Sequence, residues 1–211
     1  MKQHLFILEN MTQDFVHLRM HTEFSIKDGM LNPKKVVHKA IASGMKALAI
    51  TDATAMFGDV IFYKAASAAG IKPILGADCS ITNHYNRDDY LRLLFLARNH
   101  QGYLTLCDLL SRAWLTNQYK DRGEVDLDWI TPEMADGLIV LSGFNTGAIG
   151  KAILNGSLSA AEQEARRLSQ KFPHFFMELQ RVGRPNDEML VAESVKLAKK
   201  LGLPVVATQP I

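Results

Sequence analysis

Ala47-Leu48-Ala49-Ile50, followed directly by Thr51-Asp52, is the stretch that decides the fold class of this chain. Four apolar residues without polar alternation are typical of a strand that is buried on both faces of a parallel sheet. The helix predicted before this strand begins at Asn32-Pro33, where Asn caps the helix and Pro occupies its first turn, and it ends at Gly44. A parallel strand preceded by a helix indicates an α/β protein.

The same alternation of strand and helix recurs along the chain. Seven strands are predicted, at residues 15–20, 47–50, 71–75, 91–97, 137–141, 175–179 and 203–207. The helices predicted after the first one lie at residues 57–69, 101–115, 146–154, 159–172 and 186–201. Two polar, aperiodic stretches, residues 82–90 and 116–129, predict loops. The pattern predicts either a parallel α/β barrel or an open α/β sheet.

The composition is ordinary for a soluble globular protein, with 47% hydrophobic residues, 22% charged residues and a net charge of +2. This balance does not indicate nucleic-acid binding, although it leaves a basic patch on one face open. Cys79 and Cys107 form no C-x-x-C pair, which favours a reducing cytoplasm. No apolar run approaches the roughly 20 residues of a membrane span. We expect one domain, residues 15–211, after an extension, residues 1–14.

Functional residues of parallel α/β folds lie at the carboxyl ends of the strands. The ligand-type side chains at these predicted ends are His21, Asp28, Asp52, Asp78 and Glu178. One histidine and four carboxylates at one rim resemble a site for a hard metal ion. For Asp52 and Asp78 the alternative is a capping or turn role, and for His21 it is a structural role. The other histidines of the predicted domain, apart from His17 on the first strand, are expected at the surface: His38, His84, His100 and His174.

Several blocks of the sequence resemble the PHP domain (the polymerase-and-histidinol-phosphatase module) of bacterial replicative DNA polymerase III alpha subunits. They occur in the order of that family and cover about residues 15–208. The blocks are FVHLRMHTEFS at 15–25, LAITD at 48–52, GIKPILG at 70–76, LARN at 96–99, GLI at 137–139, LSG at 141–143, GRP at 183–185 and GLPVVAT at 202–208.

The resemblance implies a distorted (β/α)7 barrel. Active members of the family are similar to phosphoesterases, and they hold two or three metal ions with histidines and acidic residues. This sequence departs from the family at six positions where ligands are expected, which are Arg19, Ala53, Arg92, Phe144, Val182 and Pro210. Matching ligand types remain at His21, Asp28 and Asp78, with Asp52 beside them. The resemblance therefore implies a vestigial metal cleft without an intact metal site.

Two of the replacements place permanent cations where the family holds metals. A guanidinium stays charged, so it repels a dication and pairs with carboxylates. We expect Arg19 and Arg92 to form ion pairs with Asp52, Asp78 or Asp28 in a metal-free cleft. No catalytic residue and no cofactor is then expected in this domain. The alternative is weakly bound Mg or Zn at His21, Asp28 and Asp78.

The resemblance implies a catalytically silent module that braces the remaining polymerase domains and docks the proofreading exonuclease subunit. The rival interpretation is a residual metal-dependent phosphoesterase or 3′–5′ exonuclease. The family's polymerase carboxylates lie in a later domain, so this chain is expected to be a truncated part of a DNA-directed DNA polymerase, with DNA bound only through the full replicase and no membrane contact. Aromatic residues in the two predicted loops are candidate anchors for the exonuclease: Tyr85, Tyr90, Tyr119 and Trp129.

Overall fold

The computed structural model describes residues 15–211, so the predicted extension at residues 1–14 lies outside the described part of the chain. Its strands are β1 (Ala47–Ala53), β2 (Lys72–Ile81), β3 (Leu91–Ala97), β4 (Gln118–Tyr119), β5 (Arg122–Gly123), β6 (Leu138–Leu141), β7 (Phe175–Leu179) and β8 (Val205–Ala207). Its α-helices are α1 (Pro33–Ala42), α2 (Asp59–Ala68), α3 (His100–Thr116), α4 (Pro132–Asp136), α5 (Ala148–Leu154), α6 (Leu158–Lys171) and α7 (Asp187–Leu201). Short 3-10 helices lie at Glu23–Ser25, Leu127–Trp129 and Phe144–Thr146.

Six strands form one sheet in the order β1-β2-β3-β6-β7-β8, and this sheet curls into a distorted partial barrel. The strand at Ala47–Ala53 is buried on both sides, as the sequence predicts. Leu48 and Ile50 pack against the helical layer of α1 and α2, while Ala49 contacts the apolar cluster that includes Leu94. The α/β class and the distorted barrel are therefore confirmed.

The expectation that the strands run parallel is wrong for β3. This strand pairs antiparallel with both β2 and β6, while β1 with β2, β6 with β7 and β7 with β8 are parallel. The physical reason lies in the connection between β2 and β3, because residues 82–90 form no helix. A parallel neighbour needs a crossover of a dozen or more residues, whereas a short loop returns the chain in the opposite direction. The reversal brings Arg92, at the start of β3, beside Ser80 near the end of β2.

The first predicted strand, residues 15–20, is extended but does not form a regular ladder. It runs beside β1 through backbone bonds from Ala49 to His17 and from Thr51 to Met20. The amide of Met20 donates to the side-chain hydroxyl of Thr51, at 2.8 Å, and not to a backbone carbonyl of β1. Beyond it, the amide of His21 donates to the carbonyl of Ile211 at 2.9 Å. This segment therefore bridges the two ends of the curled sheet.

Helix boundaries follow the local signals. The side chain of Asn32 accepts from the amides of Lys34 and Lys35 at the start of α1. Gly202 ends α7 in the left-handed region, at a φ of 66°. The predicted loop at 116–129 is wrong in part, because it contains the β4–β5 hairpin and the 3-10 helix Leu127–Trp129. Within residues 15–211, the helices are too short or too polar to cross a membrane.

Candidate functional site

A cleft of about 280 Å³ opens at the rim where the parallel strands end and β3 begins. Six of the ten residues that the sequence placed in a vestigial metal cleft line it: Arg19, His21, Asp28, Asp78, Arg92 and Pro210. The remaining lining residues, which the sequence-based set lacked, are Asn145, Thr146, Gln180, Arg184 and Ile211. The reversed direction of β3 is what brings Arg92 to this rim.

Arg19 joins the two buried carboxylates of the cleft. Its Nε lies 2.9 Å from Glu178 Oε1 and its Nη2 lies 3.0 Å from Glu178 Oε2, which is a bidentate contact. Its Nη1 donates to Asp78 Oδ2. Arg19 is 6% exposed, and both carboxylate side chains are fully buried. Burial alone lowers the pKa of Arg19, but Asp78 and Glu178 outweigh it and hold the pKa above its ordinary value.

Glu178 is held by several further donors. The hydroxyl of Thr208 donates to Oε1 at 2.6 Å, and the amide side chain of Gln180 donates to the same oxygen at 3.0 Å. The backbone amide of Gly143 donates to Oε2 at 3.1 Å. Burial raises the pKa of Glu178, and these donors together with Arg19 reverse the effect and lower it. Its position at the end of a predicted strand is the sequence signal that identifies Glu178 as part of the site.

Asp78 lies within β2 and contacts three cationic or ionisable groups. Besides Arg19, its Oδ2 lies 3.2 Å from His21 Nε2, and its Oδ1 lies 3.6 Å from Arg92 Nε. Burial raises the pKa of Asp78, but Arg19, Arg92 and His21 outweigh it and lower the pKa to about 2. The expected pairing of Arg19 and Arg92 with a leftover carboxylate is found at Asp78.

His21 bridges two acids through opposite edges of its ring. Its Nδ1 lies 3.0 Å from Asp28 Oδ1, and its Nε2 lies 3.2 Å from Asp78 Oδ2. Burial lowers the pKa of His21, and the hydrogen bond and charge of Asp78, together with the charge of Asp28, raise it above the ordinary value. The two carboxylates therefore lie on opposite sides of the imidazole ring, and each contacts a different nitrogen.

Asp52 does not take part in the ion pairs of the cleft; of the three carboxylates expected as partners of Arg19 and Arg92, Asp78 is the one that pairs with them. Its Oδ1 accepts from the amide of Thr22 at 2.5 Å and from the hydroxyl of Ser25 at 2.6 Å, and its Oδ2 accepts from the hydroxyl of Thr22 at 2.7 Å. These contacts match the turn role that is the alternative for Asp52, because the carboxylate holds the turn at Thr22 and Ser25. The neighbouring amide of Ala53 donates to the Ser25 hydroxyl at 3.0 Å.

Phe144 and Val182, two of the four predicted residues that do not line the cleft, have identifiable positions in the fold. Phe144 is buried in the main apolar cluster, with a positive φ of 44°. The amide of Val182 donates to Asp187 at 3.0 Å, at the start of α7. A second positive φ follows the end of β1 at Thr54, at 47°. Positive φ values also occur at Ile26, Lys120 and Asn186, so this backbone conformation does not mark the cleft.

Within residues 15–211, ligand atoms converge to within 4.8 Å in one group of three, which lies away from the cleft. His84, Asp126 and Asp128 form this group, with His84 Nε2 3.3 Å from Asp126 Oδ2. His84 is exposed, as predicted, and Asp126 caps the 3-10 helix by accepting from the amide of Asp128 at 3.0 Å. This capping contact accounts for the position of Asp126 without a metal ion.

Comparison with known proteins gives a consistent result. The family model described as "PHP domain" matches residues 17–182. The DNA polymerase III subunit alpha of Neisseria meningitidis serogroup B is 46% identical over 202 residues, and that of Escherichia coli K12 is 41% identical over 198 residues. Each alignment covers 93% of this chain but 17% of the relative, so the chain spans about a sixth of the length of these relatives.

Solved structures with the same fold are distant in sequence. An amidohydrolase from Chromobacterium violaceum superposes with a TM-score of 0.65 at 14% identity, covering 93% of this chain and 87% of that one. A protein from Bifidobacterium adolescentis, named as a metal-dependent phosphoesterase, superposes with a TM-score of 0.59 at 13% identity, covering 92% and 86%. These likenesses concern the fold, and the family match carries the assignment. The chain belongs to the PHP domain family.

Proposed function

We propose that this chain is the PHP domain of a replicative DNA polymerase III alpha subunit and that it acts there without catalysis of its own. The identity of 41–46% to polymerase III alpha subunits over nearly the whole chain supports the first part. In this proposal the polymerase chemistry, and with it the binding of DNA, belongs to parts of the subunit outside this domain. The domain itself braces those parts, docks the proofreading exonuclease subunit and works in the cytoplasm.

The contact of Arg19 with both Asp78 and Glu178 is the observation that carries catalytic silence. A metal ion held by the remaining ligand types His21, Asp28 and Asp78 would need the Asp78 carboxylate as a ligand. The buried guanidinium of Arg19 already occupies Asp78 Oδ2 and is bidentate to Glu178. Displacing it would bury an unpaired arginine, which costs several kcal/mol.

The remaining ligand types do not fit a metal ion. His21 directs Nδ1 to Asp28 and Nε2 to Asp78, so the imidazole lies between the two acids. A metal ligand set needs one ring nitrogen and the carboxylate oxygens around a single point, about 2.0–2.2 Å from the ion. Arg92, 3.6 Å from Asp78, adds a second cation at the same place. The alternative of weak Mg or Zn at His21, Asp28 and Asp78 is therefore disfavoured.

Elemental analysis with an activity assay tests catalytic silence. The purified chain, dialysed against Zn²⁺ or Mn²⁺ and then against buffer, should retain less than one ion per ten chains. It should neither hydrolyse a p-nitrophenyl phosphate ester nor shorten single-stranded DNA. Two ions per chain, or a metal-dependent rate that disappears in His21→Ala, would favour the residual phosphoesterase or exonuclease instead.

The docking part of the proposal concerns the surface formed by the loop at 82–90 and the β4–β5 hairpin. Tyr85 is fully exposed, and Tyr90 is 40% exposed. The ring of Tyr119 is already covered by guanidinium groups, with Arg87 4.5 Å and Arg122 5.2 Å from its centroid. Tyr85 is therefore the candidate anchor with the most surface to bury against a partner.

A titration of the cognate exonuclease subunit tests the docking. Tyr85→Ala should weaken binding by about tenfold, which is typical of an aromatic anchor. Tyr63→Ala, at an exposed tyrosine of α2, is the matched control and should leave binding unchanged. Equal affinity of both variants and the parent would remove Tyr85 from the interface. Tight binding of DNA with no binding of the exonuclease would refute the docking role.

A further inference from the structure

A second surface feature is a groove of about 560 Å³ between α1 and α2. It shares no lining residue with the cleft or with the loop at 82–90. Its floor consists of the small side chains of Ala65 and Ala68 in α2 and of Ala69 directly after that helix, and Ile61 lies beside them. Its α1 wall carries Lys34 and His38, which are one helical turn apart.

The two charged side chains that line this groove, Lys34 and Lys64, are both basic. Residues 29–77 contain six lysines, and their only acids, Asp52 and Asp59, are buried. Within residues 15–211, no ion pair is formed by Lys34, Lys35 or Lys64. By contrast, lysines elsewhere hold acids: Lys27 with Asp121, Lys120 with Asp88, Lys151 with Asp89, Lys196 with Glu193 and Lys200 with Glu162. The groove therefore has a basic rim whose charges are not neutralised by neighbouring acids.

The exposed side of α2 is apolar for a helix that faces solvent. Val60 is 57% exposed, Ile61 is 39% exposed, and Ile41 on the adjoining α1 is 45% exposed. The solvent face of a surface helix normally carries charged and polar side chains. Apolar side chains next to unpaired cations favour a partner that is itself both apolar and acidic.

We propose that the α1–α2 groove docks an acidic amphipathic helix of a separate protein. The alanine floor permits close approach of a helix backbone, and Ile41, Val60 and Ile61 supply apolar surface for its anchors. Glutamates or aspartates beside those anchors would meet Lys34 and Lys64. A nucleic-acid backbone is the less fitting occupant, because phosphates would pair with the lysines but leave the apolar side chains exposed.

Dimensions set the length of the helix that fits. Both α1 and α2 contain ten residues, so each is about 15 Å long. A partner helix of about three turns spans that length, with apolar anchors at positions i, i+4 and i+7. This inference does not rest on the polymerase assignment, and it concerns a surface distinct from the proposed exonuclease contact.

Fluorescence anisotropy with the 211-residue chain tests the proposal. The probes are a panel of designed 14-residue helical peptides that carry three leucines on one face and four glutamates beside them, with the register shifted by one residue between members. At least one peptide should bind, and a scrambled peptide of the same composition should not. Raising NaCl from 50 to 300 mM should weaken binding, because exposed charges are screened.

Charge reversal locates the contact. Lys34→Glu combined with Lys64→Glu should lower the affinity for the peptide by at least about tenfold, which corresponds to a loss of about 1.4 kcal/mol of binding free energy. Lys199→Glu is the matched control, since Lys199 is an exposed lysine on α7, and it should change affinity less than about twofold. Circular dichroism of each variant confirms that it is folded. The proposal is overturned if no member of the panel binds at 50 mM NaCl, if the double variant binds as well as the parent, or if double-stranded DNA displaces the peptide.

Discussion

Replacing Arg19 by Ala is the sharpest test of the idea that an arginine now supports the cleft. The side chain of Arg19 is 7% exposed and contacts both Asp78 and Glu178. Its removal leaves two fully buried carboxylates, of which Asp78 retains His21 and a more distant Arg92. Breaking a buried ion pair by removing one partner costs about 3–5 kcal/mol, since the remaining charge is left uncompensated.

The expected change in melting temperature follows from chain length. For a protein of 150–250 residues, 1 kcal/mol shifts the melting temperature by about 2–4 °C. A loss of 3–5 kcal/mol therefore predicts a decrease of about 6–20 °C. The loss should also depend on pH, because Arg19 helps to hold the pKa of Asp78 at about 2, below its ordinary value of 3.8. A depressed carboxyl pKa contributes stability above pH 4, and that contribution disappears as the pH falls through 2.

Urea and thermal denaturation at pH 7, and at several pH values between 4 and 2, measure both effects. Arg92→Ala is the matched control, because its Nε lies 3.6 Å from Asp78 and its side chain is 16% exposed, so its removal should cost less than removal of Arg19. Combining Arg19→Ala with Glu178→Gln should cost less than the sum of the two changes, since one of the stranded charges is gone. The reasoning fails if Arg19→Ala loses under about 1 kcal/mol at pH 7 or is no more harmful than Arg92→Ala.

Three further substitutions test other parts of the structure. Asp59→Asn should stabilise the protein by up to about 4 kcal/mol at pH 7 and not at pH 4, as measured by urea titration. Burial, and then the charge of Asp52, raises the pKa of Asp59 to about 8. The parent protein therefore loses stability as the pH rises from 4 to 8, and the Asn variant does not. Gly143→Ala should lower the melting temperature by more than 4 °C, since φ is 80° and a Cβ would collide with the carbonyl of Arg92; an unchanged Tm would contradict that packing. Asp52→Ala should leave the donors of Thr22 and Ser25 unpaired and speed proteolysis at residues 26–27, whereas unchanged cleavage would show that the turn is held by other contacts.

The sequence predicts the order of strands and helices well, because each depends on local pattern and on capping residues. The alternation of strand and helix does not predict the direction of β3, because that direction depends on the helix-free connection at 82–90. The first predicted strand, residues 15–20, is extended but forms no regular ladder, for another reason. Its residues alternate as in a strand, but the hydroxyl of Thr51 accepts the hydrogen bond that a backbone carbonyl would accept in a regular sheet. No local sequence rule predicts this contact.

The candidate site was predictable in its location and partly in its contacts. Residue type and strand ends were enough to bring His21, Asp28 and Asp78 to one rim, whereas Arg92 was expected there only from the family resemblance. They could not rank the acids, because the choice of partner for Arg19 depends on distances across the sheet. Glu178 is 159 residues away in sequence and supplies the bidentate contact. Burial of Asp59 without a hydrogen-bond partner is likewise invisible without packing.

The bridge from His21 to Ile211 has a consequence for the order of folding. The β2–β3 pairing is joined by a short loop, whereas this bridge joins residues at opposite ends of the described chain. Because loop-closure entropy grows with the logarithm of loop length, closing the bridge costs about 3 kcal/mol more than closing the hairpin. The hairpin is therefore expected to form early, and the seam between residue 21 and residue 211 to close last. Unfolding is then expected to begin where residue 21 meets residue 211. Arg19, with its partners Asp78 and Glu178, lies beside that contact and should separate early.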